Sequence, residues 1–157
     1  MEKLDTIAGI FVTMQVDRVQ VLYVALFADG TLWRMGTGSE SNNEWGLFVG
    51  KSSPDLFELL RDQITPDLLR LVGVHADPFP KGKPCELTIG FRLGDGEEML
   101  SQWEYGSLSQ GPSLEIRHFV TTVIETTNVW YEQQKRLKCR SQPSPPIFSY
   151  RGGTPAE

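Results

Sequence analysis

Gly50-Lys51-Ser52 is the fragment of this chain that comes nearest to recognisable chemistry. It matches the end of a phosphate-binding loop, where backbone N–H groups cradle phosphates and the lysine reaches them, and helix-start residues follow it. Such a loop needs another glycine five residues before Gly50. Trp45 stands there, Gly46 is one residue off, and Leu47-Phe48-Val49 has the character of a strand. Nucleotide binding is therefore not expected. Gly36-Thr37-Gly38 follows a strand but lacks the third glycine and the helix that would direct a dipole at a pyrophosphate.

The remaining reactive side chains are scattered. His75 and Asp77 precede a proline-rich stretch, and His118 lies three residues after Glu115. A helical wheel puts His118 on the polar side of its helix, so a solvated role is expected for it. Cys85 and Cys139 have neither CxxC spacing nor clustered ligand partners. Asp95, Glu97 and Glu98 lack the repeated oxygen spacing of a calcium loop, and no GxSxG occurs. No catalytic residue, metal site or cofactor is expected.

Composition narrows the classes further. The 157 residues, 39% hydrophobic and 22% charged, suit one globular domain with a sizeable core. Fifteen Lys and Arg against twenty Asp and Glu give a net charge of −5, which opposes binding to nucleic-acid phosphates. The one basic cluster, Lys135, Arg136, Lys138 and Arg140, suits the C-terminal turn of a helix, where the dipole is negative. No uninterrupted apolar run approaches about 18 residues, so no spanning helix is expected. No leader peptide is expected either, and the default location is cytoplasmic.

These residues need elements to hold them. Leu4 to Val16 reads as a strand with Gly9 as a bulge, and the almost wholly apolar Val19 to Phe27 as a central strand. Asp29-Gly30 suggests a two-residue type I′ hairpin turn, setting Leu26 opposite Trp33 and gathering Leu22, Val24, Leu26, Trp33 and Met35 on a core face. A polar loop runs from Gly36 to Glu44, and Trp45 to Gly50 resumes as strand. Ser53-Pro54-Asp55 and Thr65-Pro66-Asp67 each open a short leucine-bearing helix, the second ended by Gly73. Ala76 to Pro84 is expected to be an irregular loop. Cys85 to Leu93 alternates as a half-buried strand. A three-residue Gly94-Asp95-Gly96 loop then sets Phe91 opposite Met99 and Leu87 opposite Trp103. Ser113 opens a long helix, to about Leu137, whose stripe is Ile116, Phe119, Val120, Val123, Ile124, Thr127, Trp130 and Tyr131.

Within this order, LYVALFADGTLWRMG, with Trp45 beyond it, resembles one strand pair of a β-propeller of the regulator-of-chromosome-condensation or tectonin kind. Those repeats carry an aspartate-glycine-threonine turn before a Trp-bearing strand. The resemblance covers about one sixth of the chain as a single unit; a propeller needs several blades, and no function is carried over.

The expected fold is α+β: an antiparallel sheet of about six strands in the order β-β-β-β-α-α-β-β-α, with the long C-terminal helix packed on one face. Residues 1–139 form the expected domain and 140–157 a flexible tail rich in Pro, Ser and Gly. The expected function is a non-enzymatic protein-interaction module, binding a protein partner or a second copy, with no nucleic acid or membrane involved. Its candidate contact residues are Arg92, Glu98, Leu100, Gln102 and Glu104 on the outer face of the second hairpin, with Gly90 leaving a gap opposite Leu100. Ile147, Phe148 and Tyr150 in the tail offer a further docking element. The alternative is a small-molecule-binding domain or enzyme with a pocket between sheet and helix, lined by Trp33, Trp103, Trp130 and Tyr105. A purely structural subunit is a third class.

Overall fold

A computed structural model describes residues 6–39 and 46–141, with side chains as far as residue 138. Two compact units divide the chain, Met1–Thr127 and Asn128–Glu157. The tail expected at the C-terminus lies, from residue 142, outside the described residues.

The first unit is built on a seven-stranded, mostly antiparallel sheet. Its strands are β1 (Ile7–Val16), β2 (Val19–Phe27), β3 (Thr31–Gly36), β4 (Phe48–Lys51), β5 (Gly73–Ala76), β6 (Pro84–Leu93) and β7 (Glu98–Gly106). Their order across the sheet is β4-β3-β2-β1-β6-β7-β5. The apolar β2 is an interior strand, as its composition requires: Val21, Leu22, Val24, Ala25 and Leu26 are all buried. Gly9 lies at a register shift between β1 and β6, where a bulge was expected. The second hairpin pairs as its pattern dictates, Phe91 with Met99 and Leu87 with Trp103.

β5 was not anticipated. Gly73, expected to end a helix, instead opens this four-residue edge strand, which runs parallel to β7. With a Gly, a His and an exposed Val74, its pattern is too short and too polar to signal burial.

The first hairpin differs from expectation by one residue. Leu26 pairs with Leu32, Ala25 with Trp33 and Val24 with Arg34. The turn is a three-residue loop, Ala28-Asp29-Gly30, closed by the Gly30 N–H donating to Phe27 O, with Gly30 at φ 95°. Gly96 plays the same part at φ 92°; only glycine takes this left-handed conformation without penalty. Arg34 therefore faces the core, and Trp33 and Met35 face away from it. The core accepts Arg34 because its guanidinium finds carbonyl and hydroxyl acceptors there (see Discussion).

Helices α1 (Pro54–Arg61) and α2 (Pro66–Leu69) begin where their caps predict. The Ser53 hydroxyl accepts from Asp55 N–H, and the Thr65 hydroxyl from Leu68 N–H. In α1 it is Phe57 and Leu60 that are buried, whereas Leu59 is exposed. Helix α3 (Leu114–Ser141) opens at Ser113, whose Oγ accepts from Ile116 N–H, and runs past the expected Leu137. Within the first unit Ile116, Phe119, Val120, Val123 and Thr127 are buried, and the Phe119 ring meets Phe91 of the sheet edge-on at 6.1 Å. This part of the helix covers the inner sheet face, where Ile10, Val12, Leu22, Val24, Leu26, Ile89 and Phe91 lie.

In the second unit, Trp130 and Tyr131 are buried, and the Lys135 ammonium pairs with Glu132 at 2.8 Å while lying 4.5 Å from the Tyr131 ring centre. Lys135, Arg136 and Lys138 stand in the last turns of α3, where the helix dipole favours cations. No helix among the described residues is long and apolar enough to cross a membrane.

Candidate docking face of the sheet

Strand alternation sends every second side chain to the sheet face opposite α3. The observed pairings place Val49, Trp33, Ala25, Phe11, Gly90 and Leu100 side by side across β4, β3, β2, β1, β6 and β7. Six neighbouring strands make this apolar row about 24 Å long. Val49 is 55% exposed, Trp33 36% and Leu100 49%, so the row remains open at both ends. One neighbouring row holds Thr31, Phe27, Gly9, Arg92 and Glu98, and the other Met35, Tyr23, Thr13, Thr88 and Gln102.

The face is held rigidly. Phe11 and Phe27 meet edge to face at 5.6 Å, and the Arg92 guanidinium lies 5.3 Å from the Phe11 ring centre and 5.8 Å from that of Phe27. Arg92 also pairs with Glu98 at 2.9 Å. Tyr23 and Trp33 lie 6.4 Å apart.

The five candidate residues read from the sequence all lie on this face. Arg92 stands opposite Glu98, Leu100 opposite Gly90, Gln102 opposite Thr88 and Glu104 opposite Glu86. The gap over Gly90 is not open, however. A Cβ there would come within 2.6 Å of Leu100 Cδ2, so Leu100 itself lies across the glycine. Sequence reasoning put Trp33 on the wrong face because the first hairpin was placed one residue out of register, and it assigned no face to Phe11 or Val49. A Gly-terminated three-residue loop, already recognised at Gly94-Asp95-Gly96, was the signal that would have faced Trp33 correctly.

The reactive residues separate. Lys51 of the phosphate-loop fragment pairs with Asp29 at 3.0 Å, and Ser52 Oγ donates to Gly30 O at 2.7 Å, so both brace the β2–β3 turn. His118 is exposed. His75 stacks on Trp103 at 5.3 Å, with Nε2 2.6 Å from Leu71 O. Cys85 is a buried free thiol. Burial, and secondarily the neighbouring Cys85, push the Tyr105 phenol above its ordinary value, against the opposing charge of Arg117. Trp33 points away from α3 and does not line an inner-face pocket. Among the described residues no three His, Cys, Asp or Glu side chains are grouped to hold a metal ion.

Asp29 provides a pH-dependent prediction. Hydrogen bonds from Thr31, then the Lys51 partnership, hold its carboxyl at about 2, below the ordinary 3.8. A depressed carboxylate stabilises the fold fully above its unfolded value, and that stabilisation is lost as pH falls from about 3.8 towards about 2. A carboxyl NMR titration should give a midpoint near the lower value. Lys51→Ala should leave most of the depression in place, because Thr31 is the larger cause; a return to the ordinary value would contradict this ordering.

No protein-family model matches the chain, and no curated protein matches it in sequence.

Proposed function

We propose that this chain is a soluble, cytoplasmic, non-enzymatic interaction module that docks a protein segment on its outer sheet face. The observation that carries the reading is the apolar row from Val49 through Trp33 and Phe11 to Leu100, exposed towards both ends and packed in its middle by aromatic neighbours. A rigid apolar strip with polar flanks is the composition of a binding patch. The occupant is a segment presenting its own apolar side chains in a row with basic flanks. Its charge complements the net −5 of the chain and the adjacent carboxylates of Glu86 and Glu104 at the β6–β7 end of the face.

Leu100→Arg and Val49→Arg test the row from its two ends. A partner captured on the wild-type protein is identified, purified and titrated calorimetrically. Each variant should weaken the purified pair by about tenfold or more, a loss of about 1.4 kcal/mol. Each should retain the wild-type melting temperature to within a few degrees, since Leu100 and Val49 are both about half exposed. Unchanged affinity in either variant removes the row from the interface. A loss of several kcal/mol in stability for Leu100→Arg would show that the face is internal.

A further inference from the structure

The apolar row of the outer face is open where it ends and filled between. Val49 at the β4 end and Leu100 at the β7 end are about half exposed, while Ala25 and Gly90 between them are buried. Six strands carry the row, so its midpoint falls between Ala25 of β2 and Phe11 of β1, which are direct partners. An occupant that covers both ends must present two apolar groups about 24 Å apart, five strand spacings. A second copy of the row has that spacing by identity.

We propose that the outer face pairs with the outer face of a second copy, about a two-fold axis that runs parallel to the strands through this midpoint. Such an axis keeps each row opposite itself and reverses its direction, giving the same contacts twice. Val49 of each copy then comes onto Leu100 of the other, Trp33 onto Gly90, and Phe11 onto Ala25. In the adjoining row Phe27 comes onto Gly9 and Lys51 onto Glu98. Each bulky ring of the two rows thus meets a small residue. Gly9 and Gly90 lie beneath Phe27 and Leu100 of their own copy, so they are low points of the relief rather than open sockets.

The charges fit the same arrangement. Within one copy Lys51 pairs with Asp29 at 3.0 Å, and Glu98 with Arg92 at 2.9 Å. Bringing Lys51 to Glu98 of the second copy joins these pairs in the alternating order Asp29, Lys51, Glu98, Arg92. Six strands and three rows cover about 24 by 20 Å on each copy, so the contact removes on the order of 1,000 Å² in all, the lower bound of a specific interface. The inference rests on the open row of the docking reading and goes beyond it: a second copy covers that row in the protein by itself.

Sedimentation equilibrium of the intact chain is expected to show a monomer–dimer equilibrium with a dissociation constant in the micromolar range. Val49→Arg and Leu100→Arg should each raise that constant by about tenfold or more, with an unchanged circular dichroism spectrum. Because each copy carries −5, added salt should strengthen the dimer, whereas it should weaken a complex with a basic segment. Cross-linking tests the axis. In a Cys139→Ser background, which leaves only the buried Cys85, mild oxidation of Val49→Cys mixed with Leu100→Cys should give a mixed dimer, and neither protein alone should cross-link. The proposal is overturned by a chain that stays monomeric at several hundred micromolar, by a dimer indifferent to both arginine variants, or by cross-links that form in a single-cysteine protein and not in the mixture. A monomeric chain whose captured partner is weakened by Leu100→Arg would sink the second copy and leave the docking reading standing. A dimer lost in Leu100→Arg, with a captured partner that ignores this substitution, would do the reverse.

Discussion

Phe119→Ala is expected to cost about 3–5 kcal/mol, the range for truncating a buried aromatic side chain. Phe119 is 3% exposed, and its ring meets Phe91 at the junction of α3 with the sheet. Its removal subtracts apolar burial and leaves a cavity that a rigid β6 cannot close. A domain whose whole stability is about 5–15 kcal/mol loses a large share of it. In urea the midpoint should fall sharply with little change in slope, the mark of lost stability without a change in exposed surface. Leu114→Ala on the same helix is the control: Leu114 is 72% exposed, and its variant should remain within about 0.5 kcal/mol of the parent. If Phe119→Ala unfolds at the parent's midpoint, the helix stripe does not bear on the core.

Arg34→Ala is expected to be comparably damaging for a different reason. Arg34 is 1% exposed, yet its guanidinium is well supplied with acceptors. Nε and Nη2 donate to Gly36 O at 3.1 and 3.0 Å, while Nη1 donates to Thr127 Oγ1 at 2.8 Å and to Ile124 O at 3.3 Å. The Thr127 hydroxyl in turn donates to Val123 O at 2.9 Å. The side chain thus ties β3 to α3 inside the first unit. Its truncation leaves the Gly36 carbonyl and the helix acceptors buried without their donor, at about 1–3 kcal/mol for each group left unsatisfied, and removes the packed side-chain stem as well. Arg34→Lys should not restore stability, because a single ammonium cannot reproduce the planar fork. In a double-mutant cycle with Thr127→Val, the two losses should fall short of additive by about 0.5–3 kcal/mol, as expected for directly bonded partners. Full additivity would separate Arg34 from the helix.

The two hairpins show where pattern alone suffices. In β6 and β7 the alternation of Leu87, Ile89 and Phe91 against the polar Glu86, Thr88 and Arg92 is clean, and only one loop length sets apolar residues opposite apolar residues. Register, inward face and outward face were all legible there. In β2 and β3 the strand Thr31–Gly36 carries Leu32, Trp33, Arg34 and Met35. Either register buries hydrophobic side chains, so the pattern decides only if Arg34 is assigned to solvent. That assignment failed, and the outer-face row containing Trp33 was hidden with it.

The sequence by itself determined every described element except β5. Caps at Ser53, Thr65 and Ser113, the 3.6-residue stripe of α3 and the period-two alternation of β6 are local signals, written in neighbouring residues and set by backbone geometry. Tertiary structure decided what those elements meet. The burial of Arg34 depends on carbonyls from Gly36 and on Ile124 and Thr127, the helix residues lying about 90 positions further along the chain. The parallel pairing of β5 depends on β7 offering an edge, since four residues cannot specify a strand alone. A contact between distant residues has no periodicity to announce it, which is why the candidate sites became visible only when the strands were placed side by side.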